Sequence, residues 1–216
     1  MKRNIIALIL CMVLFGCVTT STLKLDPQTL AGQEKVSKEG VSTVVSKKDV
    51  LVSVRPSSDT YSSVERPKLV VSVYCTEGSF TFSPENVQVF VDGNPHHVFT
   101  YRELVDDIKE KERMEKDKAE KMRKAQYMNT GASGASASVS NNQYTANLNE
   151  IERKTYDALK ELEITALKSI TVQPGKQCGG CITIEKIPDP TLSHEIKVIV
   201  KANGETHEFL LNQVEA

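Results

Sequence analysis

Short stretches of alternating Val and Ile, each ended by a turn signal, occupy both ends of this chain and leave its middle to a different pattern. Val50, Val52 and Val54 alternate with polar neighbours and stop at Arg55-Pro56. Lys68 to Cys75 sets Leu69, Val71 and Val73 on one face, and Asn86 to Asp92 does the same with Val87, Val89 and Val91. Asp92-Gly93-Asn94-Pro95 then marks a turn, after which His96 to Tyr101 resumes extended chain. Near the C-terminus Cys181 to Ile187 alternates up to Pro188. Ile196, Val198 and Val200 follow, Asn203-Gly204 is a two-residue hairpin turn, and Glu205 to Leu211 returns. Period-2 alternation means strands with one buried face, and Asn-Gly or Asp-Gly between such runs means hairpins. About seven short strands at this spacing predict an Ig-like antiparallel β-sandwich, split into halves at residues 41–101 and 171–216.

Residues 102–170 between the halves have helical periodicity, so the fold class expected is mainly β with a helical insertion (α+β). Residues 101–127 carry 17 charged side chains, nine positive and eight negative. Asp107–Lys111, Glu112–Lys116, Asp117–Lys121 and Glu120–Lys124 are acid-first i,i+4 pairs, each contributing ~0.2–0.5 kcal/mol to a helix. The apolar stripe of Leu104, Ile108, Ala119, Met122 and Ala125 is interrupted by charge, so this helix is mostly wet. Residues 129–147 are rich in Gly, Ala, Ser and Asn and predict a mobile loop. Leu148, Ile151, Thr155, Leu159, Leu162 and Ala166 recur on one face of a second helix. A helical hairpin of this composition cannot bury itself and needs the sheets or a partner.

The N-terminus carries an address. Met1-Lys2-Arg3 is basic, and Asn4 to Phe15 is apolar but too short to span a bilayer. It closes on Leu14-Phe15-Gly16-Cys17, which resembles the lipobox of bacterial lipoproteins. The resemblance implies removal of residues 1–16 and a diacylglycerol thioether on Cys17. Two or more acyl chains, palmitate among them, would anchor it stably, whereas one chain alone binds membranes only marginally. Val18 after the cysteine implies sorting to the outer membrane, with the domain facing the periplasm. Cys11 is a poor acceptor because bulky Leu10 precedes it. Residues 17–40, polar and without sustained period, then read as a lipidated flexible tether.

A second resemblance rests on Phe82-Ser83-Pro84-Glu85-Asn86-Val87, Tyr101-Arg102-Glu103-Leu104, Thr171-Val172-Gln173-Pro174-Gly175 and Gly204 to Phe209. Together with the Gly/Ala/Ser-rich interruption, these are similar to a group of uncharacterised bacterial envelope lipoproteins across about residues 80–210. Its motifs are turns and strand ends, and the group has no assigned activity, so the resemblance implies architecture and adds no chemistry.

Composition removes several functions. The net charge of −1 gives no basic excess for nucleic acid. The absence of Trp and the 6% aromatic content weaken a carbohydrate-stacking surface. There is no serine nucleophile motif, phosphate loop or His-Glu-x-x-His, so neither an enzyme nor a cofactor is expected.

Three cysteines remain after lipidation: Cys75, Cys178 and Cys181. In an oxidising periplasm a structural disulfide among them is expected. A bridge from Cys75 to Cys178 or Cys181 would close a loop of about a hundred residues, contributing ~4–5 kcal/mol. A Cys178–Cys181 bridge would close a tight turn through Gly179 and Gly180. The same Cys-Gly-Gly-Cys offers an alternative, a thiol-redox or metal-handling loop with His194 or His207 as further ligands. Its spacings fit no zinc finger, and no helix follows the motif to lower a thiol pKa. Adjacent His96 and His97 point to opposite faces of a strand, and each single His is expected at a surface or edge. The function expected is a non-catalytic, lipid-anchored interaction module whose partner is another envelope protein, its oligomeric state open.

Overall fold

The computed structural model describes residues 20–38, 40–130 and 134–216. Among them the chain is mostly β, with 14 strands in antiparallel sheets and two long helices. In chain order the strands before the helices are β1 (Thr22–Gln28), β2 (Gln33–Lys38), β3 (Val41–Lys47), β4 (Val50–Pro56), β5 (Thr60–Ser62) and β6 (Lys68–Cys75). They continue with β7 (Phe80–Phe82), β8 (Val87–Val91), β9 (Asn94–His96) and β10 (Val98–Phe99). Helices α1 (Tyr101–Thr130) and α2 (Gly134–Thr165) follow. The chain closes with β11 (Ile170–Val172), β12 (Cys178–Ile184), β13 (His194–Ala202) and β14 (Glu205–Glu215).

One six-stranded sheet runs β5-β1-β14-β13-β8-β9, a second runs β10-β12-β6-β4-β3-β2, and β11 pairs with β7. Both large sheets feed one core. Val52, Val54, Leu69, Val71, Val73 and Ile182 enter it from the second sheet, and Val89, Ile196, Val198, Val200, Phe209 and Leu211 from the first. These are the alternating positions of the sequence pattern, and the turns between them are built as their residues require. Asp92-Gly93 and Asn203-Gly204 both place two successive residues at positive φ, near 49° and 81°. That is the turn whose twist matches a two-residue hairpin, so Val91 faces Asn94 and Ala202 faces Glu205.

Three expectations change. The strand count is 14 rather than about seven, because several strands are only two or three residues long and too brief to alternate visibly. The segment read as a tether contains β1 and β2. Leu23 and Leu25 are buried, and β1 pairs with β14 from Leu23↔Glu215 to Gln28↔Leu210. The segment read as a loop at 129–147 is helical up to Thr130 and again from Gly134. Ala is the strongest helix former, and polar contacts across the hairpin hold this end: the Tyr127 hydroxyl donates to Asn141 Oδ1 at 3.0 Å, and the Arg123 guanidinium lies 4.6 Å from the centre of the Tyr144 ring.

Thr100 and Glu103 start α1 with a capping box. The Thr100 N–H donates to Glu103 Oε2 at 2.7 Å, and the Glu103 N–H donates to Thr100 Oγ1 at 3.3 Å. The Thr100 N–H and its hydroxyl, which donates to the same Oε2 at 2.8 Å, hold the Glu103 carboxyl below its ordinary range. No described helix is long and apolar enough to cross a membrane.

Candidate functional site

The insertion is tied to the β body at its base and projects beyond it. Leu104 on α1 and Leu167 just after α2 are buried. The Leu167 N–H donates to the Cys181 carbonyl at 2.8 Å, continuing the edge of β12. Arg66 pairs with Asp107 of α1 while its guanidinium stacks 4.0 Å from the Phe99 ring centre, and the Lys168 ammonium lies 4.5 Å over Tyr101. Between base and body is a cleft of about 490 Å³. Leu25, Pro56, Leu104, Ile108, Ala158 and Leu162 make its apolar lining, and Arg66, Lys68 and Glu161 stand among its charged groups. Nothing in the sequence signals Arg66 or Lys68, because both acquire their meaning from a helix more than thirty positions away.

Farther out, the helices touch through the stripe expected from α2. Leu148, Ile151, Thr155, Leu159 and Leu162 are half-buried. Against them α1 brings charge: Lys116 reaches Glu112 at 2.8 Å on its own helix and Glu152 at 2.9 Å on the other. Met122 and Ala125, assigned to the inner stripe by sequence, are exposed. No described side chain from Val105 to Ala166 is buried.

Cys17 lies outside the described residues. Cys75, Cys178 and Cys181 are free thiols, so the expected disulfide is not formed. Cys178 faces Val73 in register and therefore sits diagonally from Cys75. Diagonal neighbours lie ~7–8 Å apart, beyond the usual reach of a disulfide. Cys178 and Cys181 are three residues apart on a regular strand and point to opposite faces. Burial pushes the Cys181 thiol up despite Lys68 and Arg55 nearby, the reverse of what an attacking thiolate needs.

The glycines between them serve packing. A Cβ on Gly180 would stand 2.6 Å from the Leu167 backbone, and one on Gly179 would stand 2.1 Å from the Val71 carbonyl oxygen. The motif is thus the place where the returning chain crosses β12.

The candidate metal ligands do not converge. His194 and His207 lie on the other sheet from the cysteines, and both are buried rather than at the surface. His194 Nδ1 is 2.7 Å from Asp92 and its Nε2 is 3.1 Å from the Asp189 carbonyl. The hydrogen bond to Asp92 raises the His194 pKa against the effect of burial. Among the described residues no three His, Cys, Asp or Glu side chains could hold a metal together.

His207 forms a clasp that sequence reading missed. Its Nδ1 is 3.0 Å from Ser46 Oγ on the opposite sheet, and its Nε2 is 3.5 Å from Glu205. Glu205 accepts the N–H groups of Val50 at 2.9 Å and Asp49 at 3.3 Å. Burial alone would raise that carboxyl, but the two backbone donors together with the neighbouring His207 hold it below the ordinary range. Burial lowers the His207 pKa, against the opposing pull of Glu205. The order Ser, His, Glu has the outline of a nucleophile with its base and acid. With Ser46 at 6% and His207 at 1% exposure, however, no substrate could reach it. It joins the two large sheets.

The arrangement is therefore a buried, cross-braced β body presenting a long polar hairpin. Compared with known proteins, the chain matches no protein-family model, no curated protein and no solved structure.

Proposed function

We propose that this is a non-catalytic, lipid-anchored protein of the bacterial cell envelope that uses its helical hairpin to contact another envelope protein. The body is an Ig-like antiparallel β-sandwich serving as a rigid mount. Cys17 carries the lipid, and the outer membrane holds it with the domain facing the periplasm. One observation carries the reading. Helices of 30 and 32 residues, about 45 Å long at 1.5 Å per residue, run their described length without a buried side chain between Val105 and Ala166. A segment that gains so little from its own packing is retained for what it touches. The Cys17 lipid and its destination rest on Leu14-Phe15-Gly16-Cys17 alone.

The test joins Lys111 to Asp157 through a short Gly-rich turn, removing the outer hairpin while keeping Ile108, Ala158 and Leu162 at the base. The shortened chain is expected to keep the urea midpoint of the body and to lose its cross-linked partner in intact cells. Retention of that partner would show that the hairpin is not the contact surface.

A further inference from the structure

Charge is sorted along the hairpin. In its outer half, residues 116–130 carry five bases and two acids, and residues 134–149 contain no Asp, Glu, Lys or Arg, which leaves the tip at +3. In its inner half, residues 101–115 and 150–165 together carry eleven acids and seven bases, which leaves the base at −4. The halves meet where Lys116 bridges to Glu152. Not all of this charge is used internally. Lys118 and Lys121 in the outer half, and Asp106 in the inner half, are exposed and make no ion pair among the described residues.

Resting on the reading of the hairpin as a contact surface, we infer that its partner is a second copy of this chain, with the two hairpins packed end for end into an antiparallel four-helix bundle. A twofold axis through the Lys116–Glu152 level lays each basic tip against the other copy's acidic base. A single surface thereby becomes self-complementary, as a twofold interface requires. A side-by-side pairing of tip with tip would set like charges together, which costs several kcal/mol. The size is sufficient: a face ~45 Å long and about two helix diameters wide offers ~900 Å², against the ~800 Å² per partner of a standard interface. Packing a second pair of helices over Leu148, Ile151 and Leu159, only half-buried in one hairpin, supplies the covering layer that a bundle has and a lone hairpin lacks.

The experiment is sedimentation equilibrium on the full chain in density-matched mild detergent, at low and high salt, with two charge-reversal variants. One is Lys121→Glu with Lys124→Glu, ~8 and ~12 Å outward of the Lys116 level, and the other is Asp157→Lys with Glu161→Lys, ~8 and ~14 Å inward of the Glu152 level, so that the two sets face each other across the twofold axis. The native chain is expected to be a dimer whose dissociation constant rises at least ~tenfold with salt as screening shortens the reach of charge. Each variant alone should be monomeric, and an equimolar mixture should restore a dimer containing one of each. A native chain that stays monomeric, or a dimer indifferent to both variants, overturns the inference. If the native chain is monomeric yet removing the outer hairpin still abolishes the cross-linked envelope partner, self-association fails while the contact-surface reading stands. If that removal abolishes nothing, both fail.

Discussion

The β body and the helical hairpin are made from one chain but are stabilised in opposite ways. In the body nearly every second residue of β4, β6, β8 and β13 is removed from water. The hairpin instead relies on local pairs such as Glu120–Lys124 and Glu150–Arg153, both exposed. Burial of apolar area contributes about 25 cal/mol per Å², whereas an exposed ion pair contributes ~0–1 kcal/mol. The difference teaches that the body carries the stability of the protein, while the outer faces of the hairpin are left uncommitted by its own packing. Ile164, at 75% exposure, would be a defect in the body, yet costs the hairpin little.

The largest effect that could break this comparison comes from truncating matched apolar side chains in the two regions. Phe209→Ala in the body is expected to cost ~3–5 kcal/mol, and Leu211→Ala ~2–5 kcal/mol. Ile151→Ala and Leu159→Ala in the hairpin should each cost under ~1 kcal/mol of global stability. Urea midpoints measured together decide it, and equal losses would mean that the hairpin shares the body's core.

A smaller effect sits at the junction. Gly180→Ala forces a Cβ against the Leu167 backbone and is expected to cost ~1–3 kcal/mol as overpacking. Cys181→Ser, one position on, should cost less. A larger loss from the serine variant would return importance to the thiol.

The smallest effect is a pH dependence with two signs. His207 has its pKa lowered in the fold. Between its folded and unfolded values the unfolded chain binds more protons, so its contribution is complete above the unfolded value and is lost as pH falls toward the folded one. His194 has its pKa raised, so its contribution is complete below the unfolded value and is lost as pH rises through the folded one. Stability measured from pH 5 to 8 should decline less on the acid side in His207→Gln and less on the alkaline side in His194→Gln. Unchanged profiles would mean that neither histidine differs between folded and unfolded chains.

What was legible in the sequence was local. Alternation in β4, β6, β8, β13 and β14 declared itself within eight or so residues, as did the Asp92-Gly93 and Asn203-Gly204 turns and the helical periodicity of residues 148–166. What was not legible depends on distant partners. β1 has only Leu23, Leu25 and Pro27 to alternate, and becomes a strand because β14 lies beside it. Residues 134–147 look like a loop when judged by their own apolar content, and are helical beside α1. The Cys-Gly-Gly-Cys segment invites redox chemistry by spacing, whereas its glycines answer to Leu167 and Val71. Ser46, Glu205 and His207 come from opposite ends of the chain, and no motif joins them before folding.

The pairing of β1 with β14 also fixes the timing of biogenesis. The first sheet places Leu23 beside Glu215, so one edge of β1, the earliest of the described strands, must wait for β14, the last of them, to be made. At ~5–20 residues per second that delay is far longer than the microseconds in which a hairpin closes. Throughout it, β1 has only the short β5 to pair with, through Thr22–Lys24, and Leu25–Gln28 stay open to any escort that holds extended chains. Completion of β14, rather than emergence of any internal part, is the event that joins β5 and β1 to the rest of the first sheet.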